Sequence, residues 1–255
     1  VTFYKEIDKE KRKYERKYER ECRRMLMAQI QPVLDYLEST GDMQNPDMAA
    51  NKLNFDQTTA FYTSLYSDVG RHFSVMTYND IIKRKDVNET VRDSWLNQIL
   101  NYMRFTAGYR IKSINRTSRK RAVELIRRAL VQAEEAGLGL IETRNSIVKY
   151  VGETWRNDAR YRAERIARTE VLTASNRASY IGAKATGLEL KKKWIASKDD
   201  RTRTSHLEVD PTPIEMDEHF IVGGALMMHP GDGSSNVPAS EVVNCRCVVR
   251  YITDL

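Results

Sequence analysis

The sequence predicts a mostly α-helical protein, in which a helical body with a long N-terminal helix carries a small C-terminal α+β module. Two observations predict it. Apolar residues recur at three- and four-residue spacing through most of the chain before Gly187, where Gly and Pro are scarce. After Gly187 the texture changes to short β-branched runs separated by Gly, Pro and Asp turns.

The first helix is expected from Thr2 to about Ser39. Its apolar positions include Phe3, Ile7, Tyr14, Tyr18, Cys22, Met25, Leu26, Ile30, Val33 and Leu37. Its first half is dense in both signs, with Glu6, Glu10, Glu15 and Glu19 near basic residues four positions away, as in exposed ion-paired helices. Pro32 removes a backbone donor, so a kink or a division is expected there. Residues 40–56 read as a connection. A second helix, from Gln57 to about Lys83, is rich in aromatics (Phe61, Tyr62, Tyr66, Phe73, Tyr78). A third is expected from about Asn88 to Asn115, with Val91, Trp95, Ile99, Tyr102, Met103 and Phe105 as its buried candidates. Ser118 reads as the N-cap of a fourth, whose apolar stripe is Val123, Ile126, Leu130 and Ala133 and which ends at Gly137 and Gly139. A short helix over Leu140 to Val151 follows.

The helix expected from about Asn157 to Ala185 keeps helical spacing with small residues, among them Ala163, Ala167, Ala174 and Ala178. Small residues let another backbone approach closely, so this helix is read as one for tight packing. Strands are expected at Lys192–Ala196, Phe220–Val222 and Val242–Tyr251, with turns at Asp210–Pro213 and His229–Asn236 between them. The division that follows is a helical N-terminal region over 1–109, a helical segment over 110–187 and the α+β module over 188–255.

The composition is that of an ordinary folded domain, and no apolar run approaches the roughly 20 residues of a membrane helix, so no membrane partner is expected. The N-terminus is charged from Lys5 onward and reads as carrying no secretory signal. Three cysteines in 255 residues make no disulfide framework, which fits a reducing compartment. The formal net charge is +7. Its location is informative: Arg110, Lys112, Arg116, Arg119, Lys120, Arg121, Arg127 and Arg128 stand against Glu124 alone, so one stretch holds the whole excess. Such a run is either a solvated helix face or a surface for phosphate or an acidic partner.

Residues that catalysis or metal binding uses collect in the C-terminal module. On a strand, Cys245 and Cys247 would point to one face and Arg246 to the other, with His206 or His229 as approaching partners. A Cys-x-Cys pair with scattered His is a poor match to zinc spacing, and a nucleophilic Cys needs an oriented base that spacing does not reveal. Structural packing is therefore the favoured reading, with a metal site and a Cys–His pair as alternatives. Arg201, Arg203 and His206 with Asp199 and Asp200 read as a polar lock rather than a phosphate site, because the two aspartates would repel phosphate and offer Arg its bidentate partner. Arg168 and Glu170 are too close in sequence to face each other on one helix, so each is expected to bond outward into that network. Trp194 is read as core. The 231–233 loop lacks the following Lys-Ser/Thr of a nucleotide cradle.

Arg168-Thr169-Glu170, Ala174, Asn176, Ala178 and Gly182-Ala183, then Lys193-Trp194, then Asp200 to His206, Phe220, Gly224, Pro230-Gly231-Asp232, Glu241 and Asn244-Cys245-Arg246-Cys247 occur in an order that resembles the phage Mu F-like minor head protein family, over roughly residues 110–251. The chain departs from that pattern at Asp210-Pro211-Thr212-Pro213, where the family commonly has a small turn ending in Gly. The resemblance implies a minor structural protein of a tailed-phage head, attached at the portal vertex and acting in head assembly, with DNA packaging or delivery in some members. The partners it implies are the portal protein, the major capsid or scaffold protein, and packaged double-stranded DNA. The implied location is the virion head, with the host cytoplasm during assembly. No cofactor and no enzymatic activity are expected. The alternatives are a metal- or Cys-dependent effector enzyme carried in the head, and a general nucleic-acid-binding protein.

Overall fold

The computed structural model describes residues 2–83, 89–210, 212–233 and 237–253. Asn88, Pro211 and Ser234 to Asn236, placed by sequence at a helix start and in two turns, lie outside the described residues. Among those described, four long helices precede the strands: α1 (Thr2–Thr40), α3 (Asp56–Ile82), α4 (Glu89–Glu135) and α5 (Leu140–Lys184), with a short α2 (Pro46–Ala50) in the first connection. The module adds β1 (Lys191–Ile195), α6 (Thr204–Val209), β2 (Pro213–Glu215), β3 (Phe220–Val222), β4 (Ala225–Met227), α7 (Ala239–Val242) and β5 (Val248–Ile252). The fold is mostly α with a small strand-containing C-terminal part, as the sequence predicts. No described helix is long and apolar enough to cross a membrane.

Three expected breaks are absent. Pro32 lies inside α1, which continues on both sides of it. Ser118 is buried in the middle of α4 rather than capping a new helix. Its hydroxyl donates to Gln29 Oε1 (2.9 Å) and accepts from Arg162 (2.8 Å). The break expected between Val151 and Asn157 is bridged by α5, in which a Cβ on Gly152 would only touch Leu34 at 3.5 Å. In each case tertiary packing overrides a local terminator, which is worth at most a few kcal/mol. In the module, Val242 closes α7 and residues 243–247 form a turn and an irregular stretch, so the strand expected from Val242 begins only at Val248.

The chain divides into two compact units, one of residues 1–19, 62–107 and 165–255, the other of residues 20–61 and 108–164. In the second, Cys22, Met25, Leu26, Ile30 and Val33 of α1 are buried with Leu125, Ile126 and Ala129 of α4 and Ile147, Val151 and Trp155 of α5. A fully buried side chain of this size contributes about 1.5–3 kcal/mol. Trp155 also donates its indole N–H to the Leu26 carbonyl (2.8 Å). Polar groups in this core are chained together: Gln29 donates to Thr58 (3.2 Å) and accepts from Ser118, which Arg162 completes. Buried polar atoms are tolerated when they are paired in this way.

In the first unit the close approach expected of α5 is made at Gly182. A Cβ on Gly182 would lie 2.2 Å from the backbone oxygen of Ser74, so α5 meets α3 backbone to backbone. The module itself is a three-stranded antiparallel sheet, ordered β2-β1-β5, and a β3–β4 hairpin. Its core joins Leu172 of α5 to Trp194, Phe220, Val222, Met227, Val242, Cys245, Cys247 and Val249.

Candidate functional site

Residues 243–247 have little regular structure, yet each is fixed by a group from elsewhere in the same unit. The Val243 carbonyl accepts from Arg203 (2.6 Å). Asn244, at φ 58°, donates its backbone N–H to Thr169 Oγ1 (3.1 Å). Arg246 gives its carbonyl to the Lys11 ammonium (3.1 Å) and its guanidinium to Asp199 (2.9 Å). The Cys247 carbonyl accepts from Asn176 (3.3 Å), which also donates to Pro230 O (3.0 Å) and accepts from the Val249 N–H (3.2 Å). Asn176 thus fastens α5 to β5 and to the 230 loop with one amide.

The two cysteines lie on that stretch and not on a strand, but their sulfurs still converge. His206, carried on α6, places Nδ1 3.4 Å from Cys247 Sγ and 3.5 Å from Cys245 Sγ. Its Nε2 is 3.0 Å from Glu241 Oε2, which also accepts from Ser205 Oγ (2.8 Å). The edge of Trp194 packs against the His206 ring with centroids 5.2 Å apart. All three members of the cluster are buried. Burial pushes the Cys245 thiol well above its ordinary range, and the neighbouring Cys247 adds to this. Cys247 is held below that range by the hydrogen bond from Cys245, against the opposing effect of burial. Lys11, fully buried on α1, is pushed downward by burial and held up in part by Glu15 and Asp8.

The other sequence candidates are placed as follows. Asp199 collects Arg246, the Arg201 N–H (3.1 Å) and Thr202, while Asp200 and Arg201 form an exposed pair at 3.8 Å. Arg203 caps a carbonyl and His206 turns to Glu241, so the expected lock takes the form of several separate links. Arg168 reaches Glu15 of α1 (3.9 Å), and buried Glu170 accepts from Tyr66 of α3 (2.9 Å). Each bonds outward, but to a neighbouring helix and not into the expected network with Asp199, Arg201, Arg203 and His206. His229 sits away from the sulfurs, against Tyr102, with Nδ1 3.2 Å from the Pro230 carbonyl.

The basic stretch lies on α4. Lys112, Arg116, Arg119, Lys120, Arg127 and Arg128 are exposed, and Arg110 and Arg121 are half-buried. Part of the excess is answered within the second unit. Arg121 pairs with Asp158 (2.6 Å) and Glu124 (2.8 Å), Arg127 with Asp47 (2.8 Å), and Arg128 with Glu124 (3.3 Å). Arg119 reaches the Asn51 side chain (2.5 Å). Lys112, Arg116 and Lys120 have no acidic partner among the described residues and lie at i, i+4 and i+8, a single stripe.

Sequence reasoning missed Lys11, because a lysine in a charge-dense helix carries no sign of burial. Glu241 was quoted only as part of a pattern; its position four residues before Cys245 was the signal available.

This module, with its pinned Asn-Cys-Arg-Cys stretch and Asn176 clasp, is one that a family model describes: the chain belongs to the Phage Mu protein F-like family, which matches residues 83–250. Among curated relatives, it is similar to the minor head protein GP7 of Bacillus phage SPP1, 36% identical over 36% of this chain and 30% of that protein. The NAD(+)–arginine ADP-ribosyltransferase EFV of Enterococcus faecalis is 36% identical over 46% of this chain and 24% of its own length. The uncharacterized protein YqbB of Bacillus subtilis is 36% identical over 37% of this chain and 32% of its own. The matched stretches thus span about a quarter to a third of these relatives. No solved structure matches.

Proposed function

We propose that this chain is a minor structural protein of a tailed-phage head that attaches at the portal vertex and acts in head assembly. The observation that carries the attachment is the stripe of Lys112, Arg116 and Lys120 on α4, three exposed cations with no acidic partner among the described residues, in a stretch where Arg121, Arg127 and Arg128 are ion-paired within the same unit. Unpaired exposed cations at helical spacing favour an acidic partner, and the portal protein is the one the family implies. Packaged DNA is the competing acidic surface, because phosphate neutralisation releases counterions and rewards the same charges.

Co-expression with a cognate tailed-phage portal protein, followed by native mass measurement, tests this. The expected result is a complex of fixed stoichiometry that Lys112→Gln, Arg116→Gln and Lys120→Gln together weaken at low salt while the fold is unchanged. No complex at any salt concentration would remove portal attachment. Retention of double-stranded DNA instead, with a steep salt dependence, would move the role to DNA packaging or delivery.

A second reading, an effector enzyme carried in the head, draws on the relative named as an ADP-ribosyltransferase. The stretch shared with it is a quarter of that protein, leaving most of its length to hold its activity elsewhere. Turnover of NAD(+) by the purified chain with an arginine acceptor would favour this second reading over the structural one.

A further inference from the structure

We propose that His206, Cys245 and Cys247 bind one zinc ion, with the imidazole Nδ1 and the two sulfurs as ligands. Among the described residues this is the one group of three or more His, Cys, Asp and Glu whose ligand atoms converge, all within 4.8 Å of one another. The edge lengths fit. Zinc–sulfur bonds of about 2.3 Å and zinc–nitrogen bonds of about 2.0–2.1 Å at a tetrahedral angle set the S···N edge at about 3.5–3.6 Å. The observed edges are 3.4 and 3.5 Å.

The histidine is also set up as a ligand. A carboxylate accepts but does not donate, so Glu241 at 3.0 Å fixes the proton on Nε2 and leaves the Nδ1 lone pair facing the two sulfurs. A carboxylate behind a metal-bound imidazole is the arrangement that orients the ring and raises its basicity. Ser205 holds that carboxylate in turn. The cysteines arrive on a segment already fixed by Arg203, Thr169, Lys11 and Asn176, so little ordering remains for the ion to impose.

Charge argues the same way. Binding displaces the two thiol protons to solvent, and two thiolates with a neutral imidazole around a dication leave no net charge in a buried site. The fourth position is left to solvent, since no fourth His, Cys, Asp or Glu joins the cluster among the described residues. The ion would join α6 to the turn after α7 across a loop of about forty residues, an entropic staple for a module with a small core. The sequence offered these three residues as an alternative and disfavoured them, because Cys-x-Cys is a poor match to zinc spacing.

The full chain, purified reduced and freed of metal by chelator, is titrated with cobalt(II) and then with zinc. The expected result is one equivalent of cobalt giving thiolate charge-transfer absorption and intense tetrahedral bands, abolished by one equivalent of zinc. Cys245→Ser with Cys247→Ser should lose both features, while Cys22→Ser, buried in the other unit, should keep them. Glu241→Gln leaves all three ligands in place and should weaken zinc about 10–100-fold, which separates a lost site from a lost fold. Absence of the thiolate band in the unmutated chain, or one equivalent of zinc persisting in the double serine variant, would overturn the assignment. Neither outcome bears on portal attachment.

Discussion

His229 shows how far a single side chain can be governed by its surroundings. It is fully buried, its Nδ1–H is used on the Pro230 carbonyl, and its Nε2 has no partner among the described residues to take a second proton's hydrogen bond. Burial, opposed mainly by Asp232, lowers its pKa from 6.5 to about 4. Because the folded value lies below the unfolded one, the unfolded chain binds the proton first as pH falls. The stabilisation is complete above pH 6.5 and is lost progressively down to about pH 4, where the folded ring protonates too. The loss amounts to at most about 3 kcal/mol. Urea unfolding measured from pH 7 to pH 4 should therefore show a steeper decline for the unmutated chain than for His229→Gln. Equal slopes would contradict the burial argument. None of this was legible in the sequence, where His229 was one of two histidines that could have served the cysteines. Sequence spacing carries no information about which of two distant segments folds back onto the cysteine stretch.

At the scale of elements, the sequence announced helices well and their ends poorly. Pro32 and Ser118 carry local break signals that α1 and α4 run through, and α5 runs through the break expected between Val151 and Asn157. A terminator acts through a few backbone groups, whereas a long helix is held along its whole buried face. The small-residue helix was legible because its signal is distributed: Ala167, Ala174, Ala178 and Gly182 repeat a demand for closeness that no single position could make. Two glycines give the paired test. At Gly182 a methyl group would meet the Ser74 backbone, which cannot yield as a side chain can, so Gly182→Ala should cost at least about 2 kcal/mol. At Gly108, inside α4, a Cβ would meet nothing within 4 Å, and Gly108→Ala should stabilise by about 0.5–1 kcal/mol. Chemical denaturation of both variants checks this. Matching effects of either sign would mean that the α3–α5 approach is not the constraint it looks to be. The Cys-x-Cys segment was misread for a related reason: its β-branched neighbours Val242, Val243, Val248 and Val249 suggest a continuous strand, while Asn244 at positive φ turns the chain. The misreading cost the register but not the chemistry, since the sulfurs still share one environment.

For the whole molecule, the family was legible in the order of short motifs, and the structure shows why those motifs travel together. Thr169, Asn176, Arg203 and Glu241 all act on residues 243–247 or on the histidine facing them. Changing one alone leaves a buried donor or acceptor unpaired, at about 1–3 kcal/mol, so the set is mutually constraining. The same physics is silent on partners, because a surface that binds another protein satisfies no internal hydrogen bond. That role rests on family membership and on the charge pattern of α4. The direct measurement is quantitative mass spectrometry of heads purified from a lysate of the phage whose genome encodes the chain. The account predicts the chain in those heads, at a fixed ratio well below that of the major capsid protein and retained after the DNA is removed. Intact heads that lack it altogether, with the chain left in the soluble fraction, would contradict the assignment to the virion.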